Sequence, residues 1–600
     1  MALADELAKS QRSISVAEFF EKNKHLLGFD SPTRGIITTV KEAVDNALDA
    51  CEEAEVLPDI YVGIKKISGD VFRITVEDNG PGIVPEQVPF VFGKLLYGSR
   101  FHQIKQSRGQ QGIGISAAVL YAQLTTGTPT VVISRTGAQF PAHRFLLQIH
   151  IEHNEPEIIG HEEIEWDRAH GTRVQIEFKS NLTAKKRLLE YLRYTAVVNP
   201  HARLLVELDD ETTIFERVSA EVIVCPKAIQ PHPHGIEIGQ FSRMVAASSE
   251  TLENFLVQGF SRVGKKTAVE MCAIAGLDPQ KKTAKLTKDE QKRLLEAMQQ
   301  VSVPAPPASV CLSPIGEDLI VRGLEKEFQM DFIRARTRPS SVFSGHPFMV
   351  EAALGYGGKL PADGNAQILR FANRVPLMYQ QGACAITSCI AGITWKTYGI
   401  TQAGLPVGPL LILVHIASTN VPFTSESKDA IASIPEIEKE ITLSLQELGR
   451  ELKLYLSRRD KNRLADDRAR AVCAIIPEIA AKVSEIVELP PPDISPIEGR
   501  IMRKLIAKRR VADGIVTIEL NNYTDFKGTV TVYETSHEKA GDAYPPPEFV
   551  STLDNEYTRV WQVPVGPGTA WKASYTGNGG GSLDIRGMEE SKLVVVDFNA

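Results

Sequence analysis

The sequence is poor in the features that mark secreted, membrane-spanning and nucleic-acid-coating proteins. Cysteine is scarce, with seven in 600 residues scattered from Cys51 to Cys473 and no CxxC pair. That excludes a disulfide framework and a zinc site and fits reduced thiols. The longest apolar run, VGPLLILVHIA at 407–417, is too short to span a bilayer. The opening stretch, MALADELAKSQRS, carries acids and has no apolar core, so it is not read as a signal peptide. A surplus of positive charge is also missing. The net charge of −7 argues against non-specific coating of nucleic acid, although it leaves room for local basic patches. Internal repeats and low-complexity tracts are absent. The expectation is a soluble cytoplasmic protein with no membrane partner, long enough for roughly three to five domains.

What is present falls into blocks. Residues 1–35 form a mixed lead-in containing VAEFFEKNKHLLGF. Residues 36–228 interleave helix and strand patterns, including DVFRITVED, where Phe72, Ile74 and Val76 alternate toward one face, and imply an α+β domain of two layers. Residues 229–306 lose the strand patterns and are bounded by QPHPHG and VPAPPAS, which delimits a helical insert. Residues 307–470 return to mixed structure and end in a long charged helix, with Leu445, Leu448, Leu452, Tyr455 and Leu456 at helical spacing. Residues 471–510 hold a helix and a linker. Residues 511–600 alternate apolar and polar between turns and read as an immunoglobulin-like β-sandwich.

The chemistry begins at KEAVDNALDA, residues 41–50. On a helix, Glu42, Asp45, Asn46 and Asp49 share one stripe, while Val40, Val44, Ala47, Leu48 and Cys51 lie opposite. A solvated face usually mixes both signs of charge, so a stripe of acids with no lysine or arginine on it calls for an outside cation or a bound group. Two further motifs follow. Asp78-x-Gly80-x-Gly82 ends a strand; alone it is most often a tight turn, but its glycines also let a flat ligand approach a carboxylate. Gly109, Gly112 and Gly114 then run into a helix beginning near Ile115, an arrangement whose free N–H groups suit phosphates. The preceding segment holds Lys94, Arg100, Lys105 and Arg108 and no acid, which reads either as a nucleotide lid or as a solvated basic loop. GFSRVGKKT at 259–267 nearly matches a Walker loop, but Lys266 stands where a hydroxyl is needed and no strand precedes it, so it is read as a turn between helices.

In this order, with HGTRV (Gly171, Thr172) further on, the motifs resemble those of the Bergerat-fold or GHKL ATPases, which include gyrase, heat-shock chaperones, histidine kinases and mismatch-repair clamps. The resemblance implies a magnesium–ATP site. By it, Glu42 is the general base and Asn46 the magnesium ligand. Asp78 with Gly80 and Gly82 reads adenine, and Asp49, Ser99, Arg100, Thr172 and Gly109, Gln110, Gln111, Gly112, Ile113, Gly114, Ile115 and Ser116 surround the nucleotide.

Three later segments narrow the resemblance. LLILVHIASTNVPFTSESKDAIA is similar to the switch-lysine loop of a type IIB topoisomerase transducer domain, which implies that Lys428 reaches the γ-phosphate. SRVGKKTAVEMCAIAGLDP resembles a helix-two-turn-helix element, and ISVAEFFEKNKHLLGF an exchanged N-terminal strap. The chain is thereby identified as a member of the DNA topoisomerase VI B-subunit family. The implied domains are a strap (1–35), a GHKL ATPase (36–228), a helix-two-turn-helix domain (229–306), a transducer (307–470), a docking helix and linker (471–510) and a C-terminal sandwich (511–600). The implied activity is ATP-dependent dimerisation of two B subunits that gates passage of one duplex through a break in another, relaxing supercoils and decatenating DNA. No cleavage tyrosine with an acidic metal cluster is recognised in the sequence, so cutting is assigned to a partner A subunit in an A2B2 heterotetramer. AVCAIIPEIAAKVSEIVE at 471–488 is a docking candidate, although periodicity alone favours core packing. Candidates for contact with double-stranded DNA are Lys265, Lys266, the run KKTAKLTK, Trp395, Lys396 and Tyr398, and the patch GRIMRKLIAKRR at 499–510. Competing readings are a mismatch-repair-type clamp, which the helical insert disfavours, and a chaperone-like ATPase, which would not respond to DNA.

Overall fold

A computed structural model describes residues 13–99, 103–109, 112–180, 183, 185–209, 211–425, 427–537, 541–553, 556–577 and 580–598. The chain forms two compact units, Met1–Tyr455 and Leu456–Ala600.

The first unit begins with an eight-stranded sheet. Its strands are β1 (Asp59–Ser68), β2 (Val71–Glu77), β3 (Thr130–Arg135), β4 (Ala142–His150), β5 (Glu155–Ile164), β6 (Gly171–Lys179), β7 (Arg203–Leu208) and β8 (Glu211–Phe215), ordered β5-β4-β3-β6-β2-β1-β7-β8. Neighbours are antiparallel except β1 and β7. The period of two in DVFRITVED buries Phe72, Ile74 and Val76, which stand beside Phe178, Ile176 and Val174 of β6. That apolar face is covered by three helices, Pro32–Glu53, Gly114–Thr126 and Lys185–Val198, through Val40, Val44, Leu48, Leu120 and Leu192. Helix Pro32–Glu53 starts where Ser31 accepts a hydrogen bond from the Arg34 N–H at 3.3 Å and proline occupies the first turn. Its first turn holds no acid and its last turn no base. Its charges are therefore not arranged for the helix dipole, and their placement needs another reason.

Residues 229–306 contain no strand. Helices Ile238–Ala246, Leu252–Gly259, Lys265–Ala275 and Lys288–Gln300 enclose Phe241, Phe255, Met271, Leu294 and Met298. The Walker-like segment is the turn between the second and third of these helices. A second mixed sheet follows, in the order Ser341–Phe343, His346–Tyr356, Leu410–Ser418, Gln367–Ala372, Val375–Pro376, with Phe332–Thr337 also paired to His346–Tyr356. Strand Leu410–Ser418 is buried at every position, as expected of a strand flanked on both edges. The hairpin after Gln367–Ala372 turns at Asn373 and Arg374, with φ of 48° and 65°. Asparagine tolerates that left-handed region, whereas arginine is strained in it.

Helix Pro435–Val487 runs for 53 residues with Pro477 inside it. The sequence reading ended this helix near Arg470 and began another at 471; the structure has one helix. In the first unit it buries Ile441, Leu445, Leu448 and Leu452. The second unit holds two four-stranded sheets around Leu505, Ile518, Val532, Trp561 and Val563, the β-sandwich read from the sequence. Its first strand, Leu505–Ala512, takes up the end of GRIMRKLIAKRR.

Candidate active site

A cavity of about 810 Å³ opens between helix Pro32–Glu53, the end of β2, the glycine loop with helix Gly114–Thr126, and the loop carrying Lys428. Its size falls within the range of small-molecule sites. Of the sequence candidates, Glu42, Asn46, Asp78, Gly82, Ser99, Gly109, Gly112, Ile113, Gly114, Ile115, Thr172 and Lys428 line it. Arg100, Gln110 and Gln111 lie outside the described residues. Asp49, Gly80 and Ser116 do not line it.

The four polar residues of the acidic helix have different environments. Glu42 sends its carboxylate to the start of helix Gly114–Thr126, so close that a Cβ on Gly114 would collide with it. Asn46 is exposed, and its Oδ1 would stand 3.8 Å from a Cβ on Gly109. Asp45 is 6% exposed; burial pushes its carboxyl up to about 7, and the Tyr191 hydroxyl donates to its Oδ1 at 3.4 Å. Asp49 faces away from the cavity, where Arg108 Nη1 donates to its Oδ1 at 2.6 Å. Here the sequence reading is corrected. The cation that offsets Asp49 is a guanidinium of the chain itself, and Arg108 also grips both oxygens of Glu52 at 2.7 and 2.6 Å. Burial alone would lower the pKa of Arg108, but Glu52 and Asp49 raise it above its ordinary value.

Two other basic side chains before the glycines also meet acids. Lys105 pairs with Glu53 at 3.0 Å and Lys94 with Glu155. These two are not free. The absence of acids in that segment instead complements the acidic helix and β5.

Asp78 directly follows β2 and accepts hydrogen bonds at Oδ1 from the Gly80 N–H at 2.8 Å and the Thr172 N–H at 3.2 Å. Its Oδ2 has no partner among the described residues, and Asp78 lines the cavity. Burial raises its carboxyl to about 6, against the opposing effect of those two N–H groups. Gly80 thus supports Asp78 from outside the cavity. Gly82, at φ 72°, passes so close to the Arg135 carbonyl that no side chain fits.

Helix Gly114–Thr126 has no side-chain cap at its N-terminus, and first-turn N–H groups of an uncapped helix suit an anion. The Ser116 hydroxyl donates within the chain to the Ile113 carbonyl at 3.0 Å, stabilising the turn from behind.

Lys428 is seven residues short of helix Pro435–Val487, in a loop, with φ 55°. Its Nζ donates to the Arg108 carbonyl at 3.1 Å, immediately before Gly109. Next to it Asp429 pairs with Arg34 of the acidic helix and accepts from Ser427 Oγ at 2.7 Å. Arg34 lies 4.7 Å over the Tyr379 ring. Arg34, Met378 and Tyr379 escaped sequence reasoning; Arg34 and its partner Asp429 are 395 residues apart.

The exposed basic candidates are uneven. Lys265, Lys266 and Lys396 are exposed. Trp395 is fully buried, and its Nε1 donates to the Ile390 carbonyl at 2.8 Å, so it cannot touch DNA. Tyr398 packs its ring on Gly449, where a Cβ would come within 2.7 Å. In KKTAKLTK, Lys281 is held by Glu290 at 2.7 Å. In GRIMRKLIAKRR, Lys508 and Arg509 are buried, Arg509 against Glu534. By contrast Val472, Ile475, Ile479, Val483 and Ile486 are 47–80% exposed at helical spacing. The preference for core packing there is therefore overturned.

The family matches and the named relatives agree with one another. The chain matches the family "Histidine kinase-, DNA gyrase B-, and HSP90-like ATPase" over residues 32–181. It matches "Topoisomerase VI B subunit, transducer" over 307–468, and the C-terminal domain of the type 2 DNA topoisomerase 6 B subunit over 488–594. The B subunit of type 2 DNA topoisomerase 6 from Methanococcoides burtonii is 50% identical over 589 residues, covering 96% of this chain and 94% of that one. Its counterpart from Methanosarcina acetivorans is 49% identical over 584 residues, with the same coverage. Among solved structures, the B-subunit of the DNA gyrase from Myxococcus xanthus is 14% identical with a TM-score of 0.37, covering 73% of this chain and 95% of that one.

Proposed function

The chain belongs to the family of type 2 DNA topoisomerase 6 B subunits, and from that premise we propose how its cavity works. It is the B subunit of an ATP-dependent type II DNA topoisomerase, with a GHKL ATPase domain that binds ATP. The observation that supports the detailed reading is the convergence of Glu42, Asn46, the glycine loop and Lys428 on one cavity with Asp78 in its wall.

In this reading the Asp78 carboxylate accepts a hydrogen bond from the adenine amino group. The N–H groups from Gly112 to Ile115 hold the phosphate oxygens. Asn46 suits a magnesium ion, because its amide oxygen is exposed beside Gly109 and magnesium usually takes one or two protein oxygens plus phosphates and water. Among the described residues no cluster of three or more His, Cys, Asp or Glu competes for such an ion. When bound, the ion offsets charge on the phosphate oxygens. Glu42 takes the proton from the attacking water as that oxygen bonds to the γ-phosphorus and the bond to the leaving β-phosphate oxygen breaks. Lys428 leaves the Arg108 carbonyl and donates to the γ-phosphate, and loss of that phosphate returns it.

Two such chains dimerise on ATP and enclose a duplex, and a partner A subunit cuts and reseals another. The exposed stripe Val472–Ile475–Ile479–Val483–Ile486 supports a docking surface for that partner in an A2B2 assembly, since an apolar stripe on a helix normally needs a covering. Lys265, Lys266 and Lys396 remain as contacts to double-stranded DNA. Among the described residues no helix is long and apolar enough to cross a membrane, and we place the assembly on DNA in the cytoplasm. ATP hydrolysis by the purified chain, stimulated by duplex DNA and suppressed by salt, tests the reading. Hydrolysis indifferent to DNA would count against it.

A further inference from the structure

Lys41 opens the segment KEAVDNALDA, and the hydrolytic reading gives it no role. It lines the same cavity as Glu42, Asn46 and Lys428 and is half-buried there. Among the described residues, the cationic side chains that line this cavity are Arg34, Lys41 and Lys428. They differ in what already holds them. Arg34 is neutralised by two carboxylates, Asp30 at 2.8 Å and Asp429, and lies over the Tyr379 ring. Lys428 rests on the Arg108 carbonyl. Lys41 makes no hydrogen bond and no ion pair among the described residues.

The order of residues along helix Pro32–Glu53 matches the order of parts in a nucleotide. Ala50 stands beside Gly80 near Asp78, where a Cβ on the glycine would lie 3.3 Å from the alanine Cβ. Asn46 stands beside Gly109, and Glu42 beside Gly114 at the uncapped start of helix Gly114–Thr126. Lys41 comes next, roughly 13 Å along the axis from Ala50 at a rise of about 1.5 Å per residue. On the helix wheel it falls on the side of Glu42 that carries Thr38 and Asp45, away from Asn46. The base and the metal ligand thus take one flank of the phosphate end, and an ammonium takes the other.

A helix lysine usually sends its ammonium to bulk water. Lys41 instead borders a cavity, partly desolvated, with no carboxylate on it. Service to Asp45 does not explain it either. Lys41 counters part of what burial does to that carboxyl, yet the two form no ion pair and Asp45 remains raised to about 7. A phosphate oxygen is the partner that fits. A γ-phosphate spreads its charge over three oxygens in the transition state, and a compact ammonium on a rigid helix suits one of them.

We propose that Lys41 is a second phosphate-binding ammonium of the site, meeting a γ-phosphate oxygen from the helix while Lys428 meets another from its loop. This rests on the cavity being the ATP site. The two lysines differ in kind. Lys428 leaves a carbonyl to reach the phosphate, whereas Lys41 is in place before the nucleotide arrives. Lys41 therefore acts on binding, and on the choice of a triphosphate over a diphosphate.

Titration of the full chain with magnesium ADP and with a magnesium complex of a non-hydrolysable ATP analogue tests this. Lys41→Met should weaken the analogue at least about tenfold, the scale of a lost hydrogen bond to a charged group, and leave ADP within about threefold of wild type. In steady-state hydrolysis KM should rise by a similar factor while kcat changes less. Lys41→Arg, which keeps the charge, should recover most of the loss. Lys41→Gln takes the place of the methionine variant should that one fail to fold. A lysine that merely offset Asp45 would become dispensable once Asp45→Asn is added, and the proposal expects no such rescue. Equal loss for both nucleotides, no loss for either, or rescue by Asp45→Asn would overturn it. A wild-type chain that binds neither nucleotide would overturn the ATP reading itself, and this proposal with it.

Discussion

Lys428 Nζ donates to the backbone carbonyl of Arg108 at 3.1 Å, across 320 residues of chain. The contact holds the lysine at the entrance of the glycine loop, one residue from Gly109. A carbonyl is a weaker partner for an ammonium than a phosphate oxygen, so the bond is one that a γ-phosphate can displace. The left-handed φ of Lys428 is sustained by the neighbouring pair of Asp429 and Arg34, which fixes the loop on the acidic helix.

Replacement of Lys428 by Met should therefore weaken nucleotide affinity by less than about tenfold and lower ATP turnover by about 10²-fold, the scale of one lost donor to a transition state. Binding titration beside steady-state hydrolysis separates the two quantities. A matching fall in affinity would make the lysine a simple ground-state ligand.

Glu42→Ala should retain ATP-dependent dimerisation and lose about 10²-fold or more of hydrolysis, as expected for a missing general base. Light scattering with ATP reads the first and phosphate release the second. Turnover near wild type would remove Glu42 from its role.

Asp78 gives a pH signature. Its carboxyl is raised by burial to about 6, and the ionised form is the stronger acceptor for an adenine amino group. Nucleotide affinity should be flat above about pH 7 and fall below about pH 6. For the free protein the sign is opposite. A raised carboxyl favours the folded state below its unfolded pKa, and that contribution is lost as pH rises through about 6. Asp78→Asn should accordingly melt no lower than wild type at pH 7 while binding nucleotide about tenfold or more weakly, because a hydrogen bond to a charged group is lost. Calorimetry with titration at two pH values checks both halves.

Ile475→Asp with Ile479→Asp should leave the melting temperature unchanged, since both side chains are more than half exposed. Capture of the A subunit should nevertheless weaken at least about tenfold, given roughly 1.5–3 kcal/mol for each apolar side chain buried. A pull-down with the purified A subunit decides it. Undiminished capture would place the interface elsewhere.

Local patterns carried much of this structure. The period of two in β2, the apolar stripe of helix Pro32–Glu53 and the glycines before helix Gly114–Thr126 each follow from neighbours a few residues apart. What stayed hidden was long-range. The acids at 49 and 52 gave no sign that they would meet Arg108, nor Asp429 that it would meet Arg34, because ion pairs between distant segments leave no spacing to read. Trp395, a candidate beside Lys396, is buried, whereas the lysine it flanks is exposed. The stripe from Val472 to Ile486 shows the converse, since periodicity identifies an apolar face without saying whether anything covers it.

The most direct test of the whole account is a crystal structure of this chain with a magnesium complex of a non-hydrolysable ATP analogue. Expected are adenine on Asp78, the γ-phosphate between Glu42 and the N–H groups of Gly112–Ile115, and Lys428 Nζ moved from the Arg108 carbonyl to a γ-phosphate oxygen. A nucleotide lodged away from the acidic helix, or a bound γ-phosphate with Lys428 still on that carbonyl, would contradict it.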